Sequence, residues 1–119
     1  MDVTKSTTLY QAFSAEAIAK SGVAYTDIIP IDKLAGRASL HIILTGTGTG
    51  QFQCVASNDE TDAVTDFVIP NSMADIVTAQ TVGTALYTFT PPCARRMAIK
   101  VTETGGANAI AVTAYLALQ

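Results

Sequence analysis

The sequence predicts an all-β protein, a single antiparallel β-sandwich or jelly roll of about seven or eight strands. Three observations favour this fold. Apolar residues recur mostly at every second position, turn residues separate these segments at intervals of about 8–12 residues, and 17 of the 119 residues are Thr, which suits a pleated sheet. An α/β fold is disfavoured because no segment between the strands is suited to a crossover helix.

The clearest strands are predicted near the C-terminal end. In residues 96–102, Met97, Ile99 and Val101 occupy one face and polar or basic residues the other. Residues 110–118 repeat this alternation over a longer span. The outer face of this last strand includes Ala111, Tyr115 and Ala117 and is nearly as apolar as its inner face. We therefore expect this strand to be covered on both sides.

Earlier strands are predicted wherever a β-rich segment lies between turn residues. These segments span residues 25–31, 40–44, 52–56, 64–69 and 86–90. The Gly-Thr run at 46–50 and the pair Gly105–Gly106 provide the positive φ angles of tight turns. Each is therefore predicted to close a hairpin between its two flanking strands.

The chain is predicted to divide into an N-terminal arm over residues 1–23 and a sandwich domain over residues 24–119. Within the arm, Ser14 is a suitable N-cap, Glu16 and Lys20 have i,i+4 spacing, and Gly22 is a suitable helix stop. One alternative is therefore a short helix over residues 14–20. The other is an extended arm that leads into the first strand.

Composition excludes several classes of protein. Hydrophobic residues make up 49% and charged residues 14%, which excludes intrinsic disorder. The net charge of −3 argues against a nucleic-acid partner, and no apolar stretch approaches the roughly 20 residues of a membrane helix. The N-terminal residues lack the pattern of a signal peptide. Cys54 and Cys93 have no metal-ligand spacing, so two reduced, buried thiols are favoured over a single disulfide or a reactive thiol.

The sequence predicts no catalytic, cofactor-binding or metal-binding residues, and no enzymatic activity. His41 lies in an apolar strand without a motif for a nucleophile, which is typical of a structural histidine. The run at 46–50 lacks the Lys of a phosphate-binding loop. The acidic residues at 58–62, followed by Asp66, lack the spacing of a calcium loop, so solvated turn carboxylates are favoured over a calcium site.

Two weaker hypotheses concern binding surfaces. Arg95 and Arg96, joined in space by Arg37 and Lys100, could form a small basic patch, although a solvated strand start is favoured. A carbohydrate-binding module would require aromatic platforms. The candidates for such a strip are the four tyrosines, Tyr10, Tyr25, Tyr87 and Tyr115, which in a small sandwich more often pack at the edge of the core.

The order of segments from Gly36 to Leu118 resembles that of the small β-sandwich structural proteins of tailed bacteriophages and prophages. The resemblance is carried by the strand 40–44, the Thr/Gly run 45–50, the strand 52–56 followed by Ser57-Asn58-Asp59, the Arg96-to-Thr102 strand and the Ala/Thr/Val-rich final strand. It covers roughly two-thirds of the chain, and its elements are common in β-proteins generally.

This resemblance implies a virion component, assembled in the host cytoplasm. The expected role is a capsid decoration or cement protein that bridges neighbouring shell subunits. The expected partners are copies of the chain itself, as a homodimer or homotrimer, and a major capsid or other virion protein, with neither nucleic acid nor membrane. The family has no catalytic residues to carry over, and it implies no cofactor. The alternative function is a carbohydrate- or receptor-binding sandwich of a tail or fibre.

Overall fold

The computed structural model describes residues 8–31 and 36–119, which form two packed antiparallel sheets. The nine strands are β1 Thr8–Ile18, β2 Val23–Tyr25, β3 Ile29–Pro30, β4 Ala38–Gly46, β5 Gly50–Ser57, β6 Val77–Gln80, β7 Gly83–Phe89, β8 Arg96–Glu103 and β9 Ile110–Leu118. A single turn of 3₁₀ helix spans Val64–Asp66. The predicted all-β sandwich is confirmed. No helix among the described residues is long and apolar enough to cross a membrane.

The strand order is that of a jelly roll. Sheet A has the order β1-β9-β4-β7, and sheet B has the order β2-β8-β5-β6 with β3 also paired to β8. The first strand, β1, pairs with the last, β9. Inside this pair β2 pairs with β8, then β4 with β7, and finally β5 with β6. This nested pairing folds one long antiparallel ribbon over into two sheets.

The core lies between the sheets, where the alternation seen in the sequence places it. In β9 every second residue from Ile110 to Leu118 is buried. In β8 of the opposite sheet, Met97, Ile99 and Val101 are fully buried. They belong to the same core as the buried side chains of β4 in sheet A, which include Leu40 and Ile42. The outer residues of β9 are half-buried, since the side chains of the flanking strands β1 and β4 shield them in part. The expected cover on the outer side of this strand is not present among the described residues.

The glycine-rich turns join the two sheets, so the two predicted hairpins are wrong. β4 lies in sheet A and β5 in sheet B, and the connection from β8 to β9 crosses between the sheets in the same way. Gly46 and Gly106 do have the positive φ values, +94° and +77°, that a tight turn requires. A positive φ allows a sharp reversal of the chain but does not determine which strand is hydrogen-bonded next.

The N-terminal arm also differs from the prediction. Ser14–Ile18 form the second half of β1, so the helix alternative over residues 14–20 is wrong. Hydrogen bonding to β9 outweighs the weak helix signals of two isolated turns. The sandwich therefore already includes residues of the predicted arm 1–23, rather than beginning at residue 24. The first seven residues lie outside the described part of the chain.

One buried carboxylate joins the turns at one end of the sandwich. Glu103, at the end of β8, is 1% exposed and accepts four backbone N–H groups. Its Oε1 accepts from Ser21 at 3.1 Å and Gly106 at 2.8 Å, and its Oε2 from Thr49 at 2.9 Å and Gly105 at 2.8 Å. These hydrogen bonds stabilise the charged form and lower the pKa of Glu103 to about 2. Three inter-strand connections are thereby held by a single side chain.

Candidate functional site

Part of the outer face of sheet B is covered by the protein's own chain. The segment between β5 and β6 folds back over it, and Phe67 from this segment packs on Val55 and Ala98. Val68 bridges to Ala56 through backbone hydrogen bonds. The strand predicted over residues 64–69 is therefore replaced by the 3₁₀ turn and this single bridge. This segment therefore shields the part of the face formed by Val55 and Ala98.

The acidic residues considered for calcium are engaged within their own loop and with two arginines. Asp59 accepts from the hydroxyl of Thr61 at 2.7 Å and from its backbone N–H at 2.9 Å, and these two bonds are the main cause of its lowered pKa. Asp62 accepts from the Ser57 hydroxyl at 2.7 Å. Glu60 forms an exposed ion pair with Arg95 at 2.6 Å. The loop is built as a network of internal bonds.

The four basic residues considered as a patch are dispersed. Arg96 stacks over the Phe67 ring, with its guanidinium carbon 5.1 Å from the ring centroid, and donates to the backbone carbonyls of Asp59 and Asp62. Lys100 lies four residues further along β8, on the same side of the strand. Arg37 lies in the other sheet's layer, where its backbone exchanges hydrogen bonds with Gln119. Arg96 therefore anchors the loop on sheet B.

The outer face of sheet A has a different character. The outward-facing residues of its strands β4, β7 and β9 include neither a carboxylate, a lysine nor an arginine. We call this surface the uncharged face. Its residues are Ser39, His41, Ile43 and Thr45 on β4, Thr84, Leu86 and Thr88 on β7, and Ala111, Thr113, Tyr115 and Ala117 on β9. No described segment of the chain folds over it as one does over sheet B.

His41 lies in the middle of the uncharged face. It is half-buried between Tyr115 on β9 and Leu86 on β7, and its ring centroid is 6.1 Å from that of Tyr115. Neither neighbour is a carboxylate, a serine or a cysteine, so this row of side chains lacks the partners of a Ser-His-Asp or Cys-His assembly. A structural role for His41 stays a prediction.

The four tyrosines do not form a common strip. Tyr10 and Tyr87 are in register with Leu116 and Leu40 and turn towards the core. Tyr25 packs on sheet B, whereas Tyr115 lies on the uncharged face of sheet A. Sugar rings need aromatic side chains side by side on one surface, and these four are distributed over three faces.

Sequence reasoning missed a surface cavity of about 480 Å³ at the edge of sheet B. It lies between the end of β5 and the two loops around Pro70 and Pro92, and its lining includes Met73 and Cys93. Proline pairs and Asn-Ser turns signal loops, but they do not reveal which loops will meet. The lining is mainly small, and none of its residues is charged.

The two thiols differ in environment, contrary to the expectation that both are buried. Cys54 is buried in β5, and burial raises the pKa of its thiol to about 12, whereas Cys93 is exposed. We therefore expect a disulfide reagent to label Cys93 within minutes in the native protein and Cys54 only after unfolding. Absorbance titration should give one equivalent of thiol without denaturant and two with it. Rapid labelling of native Cys93→Ser would contradict this.

Comparison with known proteins gives structural likeness without sequence likeness. No protein-family model and no curated protein matches this sequence. Tripeptidyl peptidase 2 contains a similar region, with a TM-score of 0.65 and 9% identity over 98% of this chain. This chain spans only 10% of the length of that peptidase.

Two other similar structures come from phages. The SPBc2 prophage-derived protein YomS matches with a TM-score of 0.55 and 14% identity, over 99% of this chain and 97% of YomS. The enzymatically active domain of bacteriophage CBA120 tailspike protein 4 matches with a TM-score of 0.54 and 15% identity, over 95% of this chain and 19% of the tailspike chain. At such identities the likeness establishes the shared β-sandwich fold alone.

Proposed function

We propose that this chain is a structural virion protein of a tailed phage, and specifically a capsid decoration or cement protein. In this role it would lie on the assembled shell, bridge neighbouring subunits and have no enzymatic activity. Its partners would be copies of itself and a major capsid protein. The likeness to YomS supports the proposal because it extends over nearly the whole of both chains. The resemblance of the order of segments along the sequence to that of phage sandwich proteins also supports it.

The observation that carries the proposal is the uncharged face. A surface that remains in water usually includes charged side chains, whereas the central part of a protein interface is depleted of them. Three adjacent strands of sheet A present only neutral side chains outward, and Leu86 among them is 65% exposed. The opposite face bears Arg96 and Lys100 and is partly covered by the chain itself. One side of the sandwich is thus suited to lie against another protein.

A protein that bridges several subunits can do so even if the affinity of each single contact is low. A protein that touches several shell subunits at once gains effective concentration for every contact after the first. Rigid, flat sheets are suited to this because they lose little conformational entropy on binding. A small sandwich with one neutral face can therefore stabilise a shell without a deep pocket or a catalytic group.

The test is binding to shells and their resistance to heat. Particles purified from the source phage or induced lysogen should contain the chain after density-gradient centrifugation. Particles from a deletion strain should release DNA at a lower temperature than complete particles. Addition of the purified protein should return the release temperature to that of the complete particles. A chain that stays at the top of the gradient, or that leaves the release temperature unchanged, would refute the proposal.

A matched pair of variants tests the face. Ser39 and Thr102 are half-buried residues on the outer sides of β4 and β8. Ser39→Lys places a charge on the uncharged face, and we expect it to reduce shell binding at least about tenfold, which corresponds to about 1.4 kcal/mol. Thr102→Lys places the same charge on sheet B and should bind as the unmodified protein does. Equal binding by both variants would exclude the uncharged face as the contact.

A further inference from the structure

The edges of the two sheets differ in how well they are protected from further strand pairing. At one side, β1 is interrupted by two register shifts and by Ala15 with a φ of +48°, and β2 and β3 have only three and two residues. At the other side, β6 has four residues and an irregular register. Bulges and short strands are the usual means by which proteins block edge-to-edge association.

The remaining edge, β7, has none of these features. Its seven residues pair with β4 without a register shift, from Gly83 opposite Leu44 to Phe89 opposite Ala38. Within residues 8–31 and 36–119, no strand pairs with its other side. A long, regular edge of this kind presents a row of backbone donors and acceptors to any strand that approaches.

The edge is also free of charge. The nineteen residues from Ile76 to Ala94 include no Asp, Glu, Lys, Arg or His. They include β6, β7 and the turn between them. Val82 in this turn is 66% exposed, and Leu86 in β7 is 65% exposed. Lysine at an edge would oppose the approach of another strand, and here no such residue is present. In this segment the sandwich has an apolar, neutral side.

We propose that β7 pairs antiparallel with β7 of a second copy of this chain, about a twofold axis through Leu86. The sequence of the strand is self-complementary in this register. On the outer face Leu86 meets Leu86 of the second copy, and Thr84 meets Thr88. On the core face Ala85 meets Tyr87, and Gly83 meets Phe89. The outer pairs are Leu with Leu and Thr with Thr, which are favourable cross-strand pairs. In the two core-side pairs a small residue lies opposite an aromatic ring.

The occupant is a second copy rather than an unrelated strand, because the pattern is symmetric about one residue. Twofold interfaces require a surface that complements itself. A charged residue near the axis would lie close to the same charge on the second copy and would be repelled by it. The neutral segment around β7 avoids this repulsion. A shift of the register by two residues would place Tyr87 opposite Gly83 and Ala85 opposite Ala85, and would leave Phe89 without a partner residue in the strand.

The resulting sheet would have eight strands and a single continuous outer surface. A twofold axis at an antiparallel edge is perpendicular to the sheet, so both uncharged faces lie on the same side. The pairing would therefore double the area that we propose contacts the shell. This consequence rests on the proposed function, whereas the pairing itself depends only on the β7 edge.

The first experiment measures mass in solution by light scattering over a range of concentrations. We expect the unmodified protein to form a dimer with twice the chain mass of 12.4 kDa. Leu86→Lys and Leu86→Glu should each be monomeric, since like charges would face each other at the axis. An equimolar mixture should restore the dimer. Leu9→Lys is the matched control, because Leu9 is 67% exposed but lies on β1.

The second experiment tests the register in a Cys93→Ser background. Oxidised Leu86→Cys should form a covalent dimer, because directly opposed strand residues lie within disulfide distance. Thr84→Cys should not, since the two copies of this residue would be roughly 13 Å apart along the strand. A monomer at every concentration, or a dimer that survives Leu86→Lys, would overturn the inference.

The two proposals can fail separately. An unmodified protein that is dimeric in solution, and whose dimer is lost in Leu86→Lys, but that does not bind shells would refute the proposed function and retain the pairing. Shell binding by a protein that never dimerises through β7 would refute the pairing and retain the function.

Discussion

Glu103→Gln should lower the melting temperature by about 10 °C or more, although it replaces only one oxygen atom with an NH₂ group. In the native protein the two carboxylate oxygens accept four backbone N–H groups, those of Ser21, Thr49, Gly105 and Gly106. The amide of Gln has one acceptor oxygen, and its NH₂ group would face two of these donors. Two buried N–H groups would then lose their acceptor, which is among the most costly changes in a protein interior.

The matched control for this change is Glu60→Gln. Glu60 is 64% exposed and its ion pair with Arg95 lies in solvent, so its removal should have almost no effect on stability. Thermal unfolding monitored by circular dichroism at pH 7 compares the two variants directly. A melting temperature of Glu103→Gln within about 2 °C of the unmodified protein would show that this carboxylate does not hold the turns together.

The same residue should give the protein a specific sensitivity to acid. The pKa of Glu103 falls from 4.5, its ordinary value, to about 2 in the folded state. A carboxyl group with a lowered folded pKa stabilises the protein above its unfolded pKa, and this stabilisation is lost as the pH falls from 4.5 towards 2. The free energy of unfolding should therefore decline in this range.

Urea denaturation at several pH values tests this dependence. The slope should be smaller for Glu103→Gln, which has no carboxyl group to protonate at this position. A residual slope should persist in the variant, because hydrogen bonds from Thr61 lower the pKa of Asp59, and those from Gln51 and Gln53 lower that of Asp75. Identical slopes in the two proteins would contradict the assignment to Glu103.

Gly48→Ala is the second change for which we expect a large effect. A Cβ atom at Gly48 would lie 2.6 Å from the carbonyl oxygen of Asn108 and 2.7 Å from Cγ2 of Ile110. The first of these is backbone, so the turn after β4 and the turn before β9 would have to move apart. We expect the free energy of unfolding to fall by about 1–3 kcal/mol, as it does when a packed core is overfilled.

Gly36→Ala is the control for this substitution. Among residues 8–31 and 36–119, no atom lies within 4 Å of a Cβ atom at Gly36, so the same chemical change should leave stability within about 0.5 kcal/mol of the unmodified protein. Urea denaturation of both variants gives the comparison. An effect of Gly48→Ala as small as that of Gly36→Ala would mean that the two turns are not packed as described.

The sequence predicts the parts of the fold that depend on alternation. In β9 the inner face is fully apolar, and in β8 it is apolar from Met97 to Val101, so the alternation is enough to assign the core. It does not predict the partner of each strand, because the turns at Gly46 and Gly106 would serve a hairpin or a sheet-to-sheet crossing equally well. It also fails in β1, where a capping pattern and one ion pair suggest a helix and the pairing with β9 overrides them.

Glu103 could have been found from the sequence. Met97, Ile99 and Val101 face the core, and the same alternation places Glu103 on that face. A carboxylate predicted to be inside must find donors, and the two glycines that follow it expose backbone N–H groups nearby. The uncharged face could not be recognised in the same way, because its residues come from three strands whose order in the sheet the sequence does not give.

The position of β9 has a consequence for how the protein reaches this structure during synthesis. The strand lies between β1 and β4 in sheet A, yet the ribosome makes it after both of them. Until β9 emerges, two core-facing strands lack their common neighbour and sheet A cannot form in the order of translation. Such long-range pairing folds slowly, and unpaired strands in the nascent chain are prone to aggregate. Efficient expression should therefore depend on protection of the unfinished chain from premature association.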